Sequence, residues 1–96
     1  MGYPVARLRD YSTGHGCHPP RPNYEASETV FVNGRGAHRQ SDHWETHCCR
    51  DCHVNSATQT GSYTVFVNGR GLGRVNDSLT GCESVIMTGS DNVFAG

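Results

Sequence analysis

An eight-residue string occurs twice in this chain: Thr29-Val30-Phe31-Val32-Asn33-Gly34-Arg35-Gly36 and, 35 positions later, Thr64-Val65-Phe66-Val67-Asn68-Gly69-Arg70-Gly71. Self-similarity at a fixed period marks a repeat architecture, which narrows the possible folds more than any other feature of a short chain. The repeat is wider than the octamer. An Arg three residues before an Asp follows each copy, in Arg39-Gln40-Ser41-Asp42 and Arg74-Val75-Asn76-Asp77, and the same spacing opens the chain as Arg7-Leu8-Arg9-Asp10. A Ser leads into each octamer, in Ser27-Glu28-Thr29-Val30-Phe31 and Ser62-Tyr63-Thr64-Val65-Phe66, and returns at the end as Ser90-Asp91-Asn92-Val93-Phe94. The unit is therefore present as a circularly offset triple.

Each octamer joins a β-branched and aromatic run to a second run through Asn-Gly. That dipeptide tolerates positive φ at both central positions, so the pattern predicts a tight type I′ hairpin. No apolar spacing of 3.6 extends over a dozen residues, so no long helix is expected. His18-Pro19-Pro20-Arg21-Pro22 reads as extended or looped, because Pro fixes its own φ and restricts its predecessor. Residues 42–62 repeat least and read as a loop held by something other than a core. The resulting expectation is a single all-β, loop-rich domain over residues 1–96, with three β-hairpin units around one axis. Two similar hairpins in an ordinary sheet would leave the truncated third copy unexplained.

A chain of 96 residues with 34% apolar side chains has little core to bury and needs a staple. Five Cys and six His supply candidates. Five residues beyond each repeated Asp stands a metal-ligand type: His15 after Asp10, His47 after Asp42 and Cys82 after Asp77. A threefold arrangement brings these to one point near the axis. Tetrahedral Zn²⁺ takes four His or Cys ligands, and His53 is the nearest fourth by spacing. A His₃Cys set is closed and structural, and its binding energy becomes folding energy. Rival ligands are Cys48, Cys49 and Cys52, with Cys49 and Cys52 at zinc-knuckle spacing, and Cys17. A disulfide between Cys17 and one of those three is the other open use of the thiols, although the chain start lacks a signal peptide and reduced thiols are the expectation in the cytosol. His18, His38 and His43 are assigned to solvent or loops. Trp44 is expected to pack over the loop. The three Asp are expected to accept backbone N–H bonds at turns and to pair with the preceding Arg.

Eight Arg, no Lys and nine acidic residues leave no basic footprint for nucleic acid. No apolar run is long enough to span a membrane. No nucleophile elbow or phosphate loop is present, which argues against an enzyme. The alternatives are a metalloenzyme, which needs an open ligand position, and a zinc-stapled binding module.

The stretches Pro4-Val5-Ala6-Arg7, Thr13-Gly14-His15-Gly16-Cys17-His18-Pro19-Pro20, the two octamers, Gly81-Cys82 and Thr88-Gly89-Ser90-Asp91-Asn92-Val93-Phe94 resemble the PAAR-repeat proteins over nearly the whole chain. The eponymous tetrapeptide reads Pro4-Val5-Ala6-Arg7 here and departs further as Gly36-Ala37-His38-Arg39 and Gly71-Leu72-Gly73-Arg74. The resemblance implies a small conical structural protein that caps the blunt end of a trimeric β-helical spike, one copy per trimer, in a contractile injection system. It implies one metal near the apex, held by three His and one Cys. By position these are His15, His47, His53 and Cys82, with Zn expected and Fe sharing such ligands. The spike is the central spike of a phage tail or the VgrG-like spike of type VI secretion. The His47-to-His53 insertion is similar to the phage branch. That implies a virion baseplate tip, made in the host cytoplasm, which touches the target cell's outer membrane transiently during piercing. Val30, Val65 and Val93, near the strand starts, are candidates for the contact with the spike.

Overall fold

A computed structural model of the protein describes residues 2–96. Its regular structure consists of ten short strands: β1 Tyr3–Pro4, β2 Tyr11–Ser12, β3 Arg21–Pro22, β4 Phe31–Val32, β5 Arg35–Gly36, β6 His47–Cys49, β7 Asp51–His53, β8 Phe66–Val67, β9 Arg70–Gly71 and β10 Phe94–Ala95. No helix occurs among the described residues. The body is elongated, 37 × 25 × 22 Å.

The octamers are the hairpins that Asn-Gly predicts. β4 pairs with β5 and β8 with β9 in the same antiparallel register, Phe31 opposite Gly36 and Phe66 opposite Gly71. Asn33 and Gly34 have φ of 55° and 77°, and Asn68 and Gly69 have 54° and 79°, so both central residues of each turn are left-handed. The third hairpin is split between the chain ends. β1 pairs with β10, placing Phe94 opposite Pro4 and Ala95 opposite Tyr3. Pro4, Gly36 and Gly71 are thus equivalent, and so are the residues that follow each.

Side-chain caps repeat with the hairpins. Ser27 Oγ accepts the N–H groups of Thr29 and Val30 at 3.1 and 2.9 Å, Ser62 those of Thr64 and Val65 at 3.0 and 2.9 Å, and Ser90 those of Asn92 and Val93 at 3.1 and 3.0 Å. The Arg-x-x-Asp segments are equally regular. The backbone N–H of Arg7, Arg39 and Arg74 donates to Asp10, Asp42 and Asp77 at 2.8, 2.9 and 2.8 Å, and each guanidinium grips the same carboxylate. Burial alone would raise the Asp10 pKa, but hydrogen bonds from Arg7 and Thr88 hold it below the ordinary value.

The units interlock in a cycle. Ala6 N–H donates to the Gly73 carbonyl at 2.9 Å, Gly73 to His38 at 2.8 Å and His38 to Ala6 at 3.0 Å, closing a ring of three backbone bonds around the pseudo-threefold axis. A second cycle of bridges joins Asn23 to Trp44, Thr58 to Leu79 and Ile86 to Ser12. Backbone groups that isolated two-residue strands would leave open are satisfied by the neighbouring unit.

Two small cores flank the ring. Val5, Val32, Ala37, Val67, Leu72 and Ala95 fill the hairpin side. Ala6, Trp44, Leu79 and Ile86 fill the other side. Two expectations are corrected here. Residues 42–62 are not a plain loop: they contain the β6–β7 hairpin, and Trp44 is a core residue at 1% exposure whose Nε1–H donates to Thr58 Oγ1. His38 is not a solvent residue. It is fully buried, with Nδ1 2.8 Å from the Glu25 carbonyl and Nε2 2.6 Å from Thr58 Oγ1, because its position in the ring points inward. Its bulk explains the small residue at the equivalent position 73, where a Cβ would come 3.1 Å from the His38 ring.

Candidate metal centre

Each unit runs from its hairpin, through the ring and the second core, to the ligand position five residues past its Asp. His15 lies in the loop between β2 and β3, His47 begins β6, and Cys82 follows the turn at Gly81, whose φ is 74°. His53 ends β7 directly opposite His47. One ligand atom from each of His15, His47, His53 and Cys82 lies within 4.8 Å of the others. The counting of residues from the repeated Asp therefore leads to one cluster, and the hairpin explains why His53 joins it.

The protonation states suit ligation. His47 Nδ1 sits 2.8 Å from the Pro19 carbonyl, which can only accept, so Nδ1 carries the proton and Nε2 turns its lone pair into the cluster. That lone pair faces His53 Nδ1 at 3.0 Å. Burial lowers the His47 pKa, and Arg21, His15 and His18 lower it further. Desolvation, then His18 and His15, also lowers that of His53. Neutral imidazoles are the metal-binding form. His15 Nε2 is buried without a hydrogen-bond partner. A buried orphan nitrogen beside two imidazoles and a sulfur fits a soft or borderline divalent cation such as Zn²⁺ or Fe²⁺.

The rival thiols are otherwise engaged. Cys17 pairs with Cys49, with Cα atoms 5.7 Å apart, and Cys48 pairs with Cys52 across the β6–β7 hairpin at 4.0 Å. Of the two uses left open for these thiols, the disulfide from Cys17 to one of the other three is the one formed, and only the expectation of reduced thiols is corrected; Cys82 is the free cysteine among the described residues. The bridges hold the His15 loop to the hairpin and the hairpin arms to each other. His18 lies in the β2–β3 loop, as expected, but not in solvent. Its side chain is 10% exposed and stacks on His53 at a centroid distance of 4.3 Å, with Nε2 3.2 Å from the Asp51 carbonyl. It forms with Asp51 and His53 a second, more open group that shares His53. His43 stays at the surface, half-exposed and 2.6 Å from Glu25.

Arg21 is the site residue that sequence reasoning missed. It is 2% exposed, and its guanidinium donates to Cys82 Sγ at 3.0 Å. Desolvation lowers its pKa and Cys82 opposes that shift. Nothing in the Pro-rich stretch around it signals this role.

A search of curated proteins returns no match. The family model of the PAAR motif matches residues 13–79, a span that holds His15, His47, His53 and two of the three Arg-x-x-Asp segments. With that match over more than half of the sequence, and with the interlocked hairpin triple around it, the chain belongs to the PAAR motif family.

Proposed function

We propose that this chain, as one domain over residues 1–96, caps the end of a trimeric β-helical spike in a contractile injection system, in the manner of a structural tip. The family is that of spike tips of such systems. The observation that carries the finer reading is the hairpin face. Phe31, Phe66 and Phe94 are 60, 59 and 56% exposed, and Val30, Val65 and Val93 beside them are 40, 39 and 37% exposed. Three equal apolar patches on one chain match the three equal chains of a trimer end. One copy on the axis then satisfies all three and blocks further copies. With roughly half of its surface still exposed, each Phe offers about 1–2 kcal/mol on full burial. Charge supports the same partner class, since eight basic against nine acidic residues give nucleic acid nothing to hold.

The metal belongs to the same reading. His15, His47, His53 and Cys82 would hold one Zn or Fe ion at the end opposite the hairpins, and the ion would supply folding energy rather than reactivity. A closed four-ligand set leaves no position for a substrate, so the role is mechanical, not catalytic. The His47-to-His53 insertion favours a phage tail over a secretion system, with brief contact with the target outer membrane as the tip passes.

Mass measurement of a complex with a trimeric β-helical spike tests the proposal. One tip per trimer is expected, and the triple substitution of Phe31, Phe66 and Phe94 to Ser should abolish binding while leaving the fold intact. Three tips per trimer would refute it. Elemental analysis of chelator-free protein should find one equivalent of transition metal, and none would end the metal reading.

A further inference from the structure

A buried guanidinium without a carboxylate is rare, because an unpaired interior charge is expensive. Arg21 is such a group: among the described residues it has no carboxylate partner, both Nη atoms donate hydrogen bonds, and its buried Nε has no partner. One Nη donates to the carbonyls of Glu45 and His53 at 3.0 and 3.2 Å, and the other to Cys82 Sγ at 3.0 Å. Its own backbone is the register partner of Ser12, so Arg21 closes the base of the loop that carries His15. One residue thereby touches, through its side chain, or closes, through its backbone, every segment that presents a candidate ligand.

We propose that Arg21 is the positioning residue of the metal centre, holding Cys82 and the His47–His53 hairpin in ligating geometry and donating a hydrogen bond to the ligand sulfur. This rests on the metal reading above. Two consequences separate it from mere packing. A donor on the sulfur draws electron density away from the bond to the metal, which raises the energy of sulfur-to-metal charge transfer. A partner outside the ligand set that orients a ligand is worth about 10–100-fold in metal affinity.

The test uses the full chain loaded with Co²⁺, compared with Arg21→Met and Arg21→Lys. Wild type should show a thiolate-to-cobalt band in the near ultraviolet. In Arg21→Met that band should move to longer wavelength, and Co²⁺ affinity against a competing chelator should fall about 10–100-fold. Arg21→Lys should fall between, since its ammonium keeps the charge but cannot span the sulfur and both carbonyls. If Arg21→Met fails to fold, the Lys variant alone decides. Either variant loading with the wild-type band and wild-type affinity would overturn the proposal. Wild type that binds no Co²⁺ would instead sink the metal reading itself, together with the role built on it.

Discussion

Acidification puts the centre of the ring under a test that the surface does not face. His38 is fully buried, and its two nitrogens are committed. The Trp44 Nε1–H donates to Thr58 Oγ1 at 2.9 Å, so the Thr58 hydroxyl is free to donate to His38 Nε2 at 2.6 Å, while His38 Nδ1–H donates to the Glu25 carbonyl at 2.8 Å. A second proton on the imidazole would set an N–H against a hydroxyl already donating toward it. Burial is the main cause, and the His38 pKa falls from 6.5 to about 4. Between those values the unfolded chain binds a proton that the folded chain refuses, so stability rises with pH through that window. His38's contribution is complete above pH 6.5 and is lost as the pH falls toward about 4. The gap corresponds to roughly 3 kcal/mol. Urea unfolding of wild type and His38→Gln at a series of pH values isolates it, because the other titrating groups are common to both chains. Wild type should lose roughly 3 kcal/mol more than the variant on going from neutral pH to pH 4. Parallel stability curves, or a His38 ring that titrates near 6.5 by nuclear magnetic resonance, would refute the buried-network argument.

Two further outcomes follow from the same geometry. Asp42 ion-pairs with both Arg39 and Arg70, whereas Asp77 ion-pairs with Arg74 and accepts a hydrogen bond from Thr60 Oγ1, so in urea unfolding Asp42→Asn should lose more than Asp77→Asn, though less than the about 3–5 kcal/mol of a fully buried pair because Arg70 is partly exposed; equal losses would contradict the ordering. The Cys17–Cys49 bridge closes a separation of 32 residues and the Cys48–Cys52 bridge one of 4, so a Cys17→Ser, Cys49→Ser pair should lose roughly 3 kcal/mol and the other pair less, read by denaturation with Cys82 intact.

The parts of this structure that local chemistry dictates were legible from the residues. Asn33-Gly34 and Asn68-Gly69 make turns wherever they stand, and a Ser or Asp three residues from an N–H caps it by proximity alone. Three of the four candidate ligands, His15, His47 and Cys82, were legible for a related reason: a count of five from each Asp is a register, and register survives folding, whereas His53 was indicated only by its nearness to His47 and by the family resemblance. What stayed hidden depends on the closure of the cycle. His38 looks like any loop histidine until the ring turns position 38 inward against Trp44. Arg21, beside three prolines, gives no local hint that its guanidinium reaches Cys82, 61 positions away. The pairing of Cys48 with Cys52 needed the β6–β7 hairpin, which no turn dipeptide announces, since its corner is Arg50 at a φ of 69°.

The split hairpin gives the molecule a preferred direction of load. Two of the three hairpins are joined by a covalent turn, and the third is a seam where β1 meets β10 through short backbone contacts. Tension applied to the chain ends would peel that seam open one bond at a time. Thrust along the axis would press the three units together instead. A partner seated across all three hairpins would also bridge the seam from outside. The proposed spike-tip role would load the seam in the direction that closes it rather than the one that opens it.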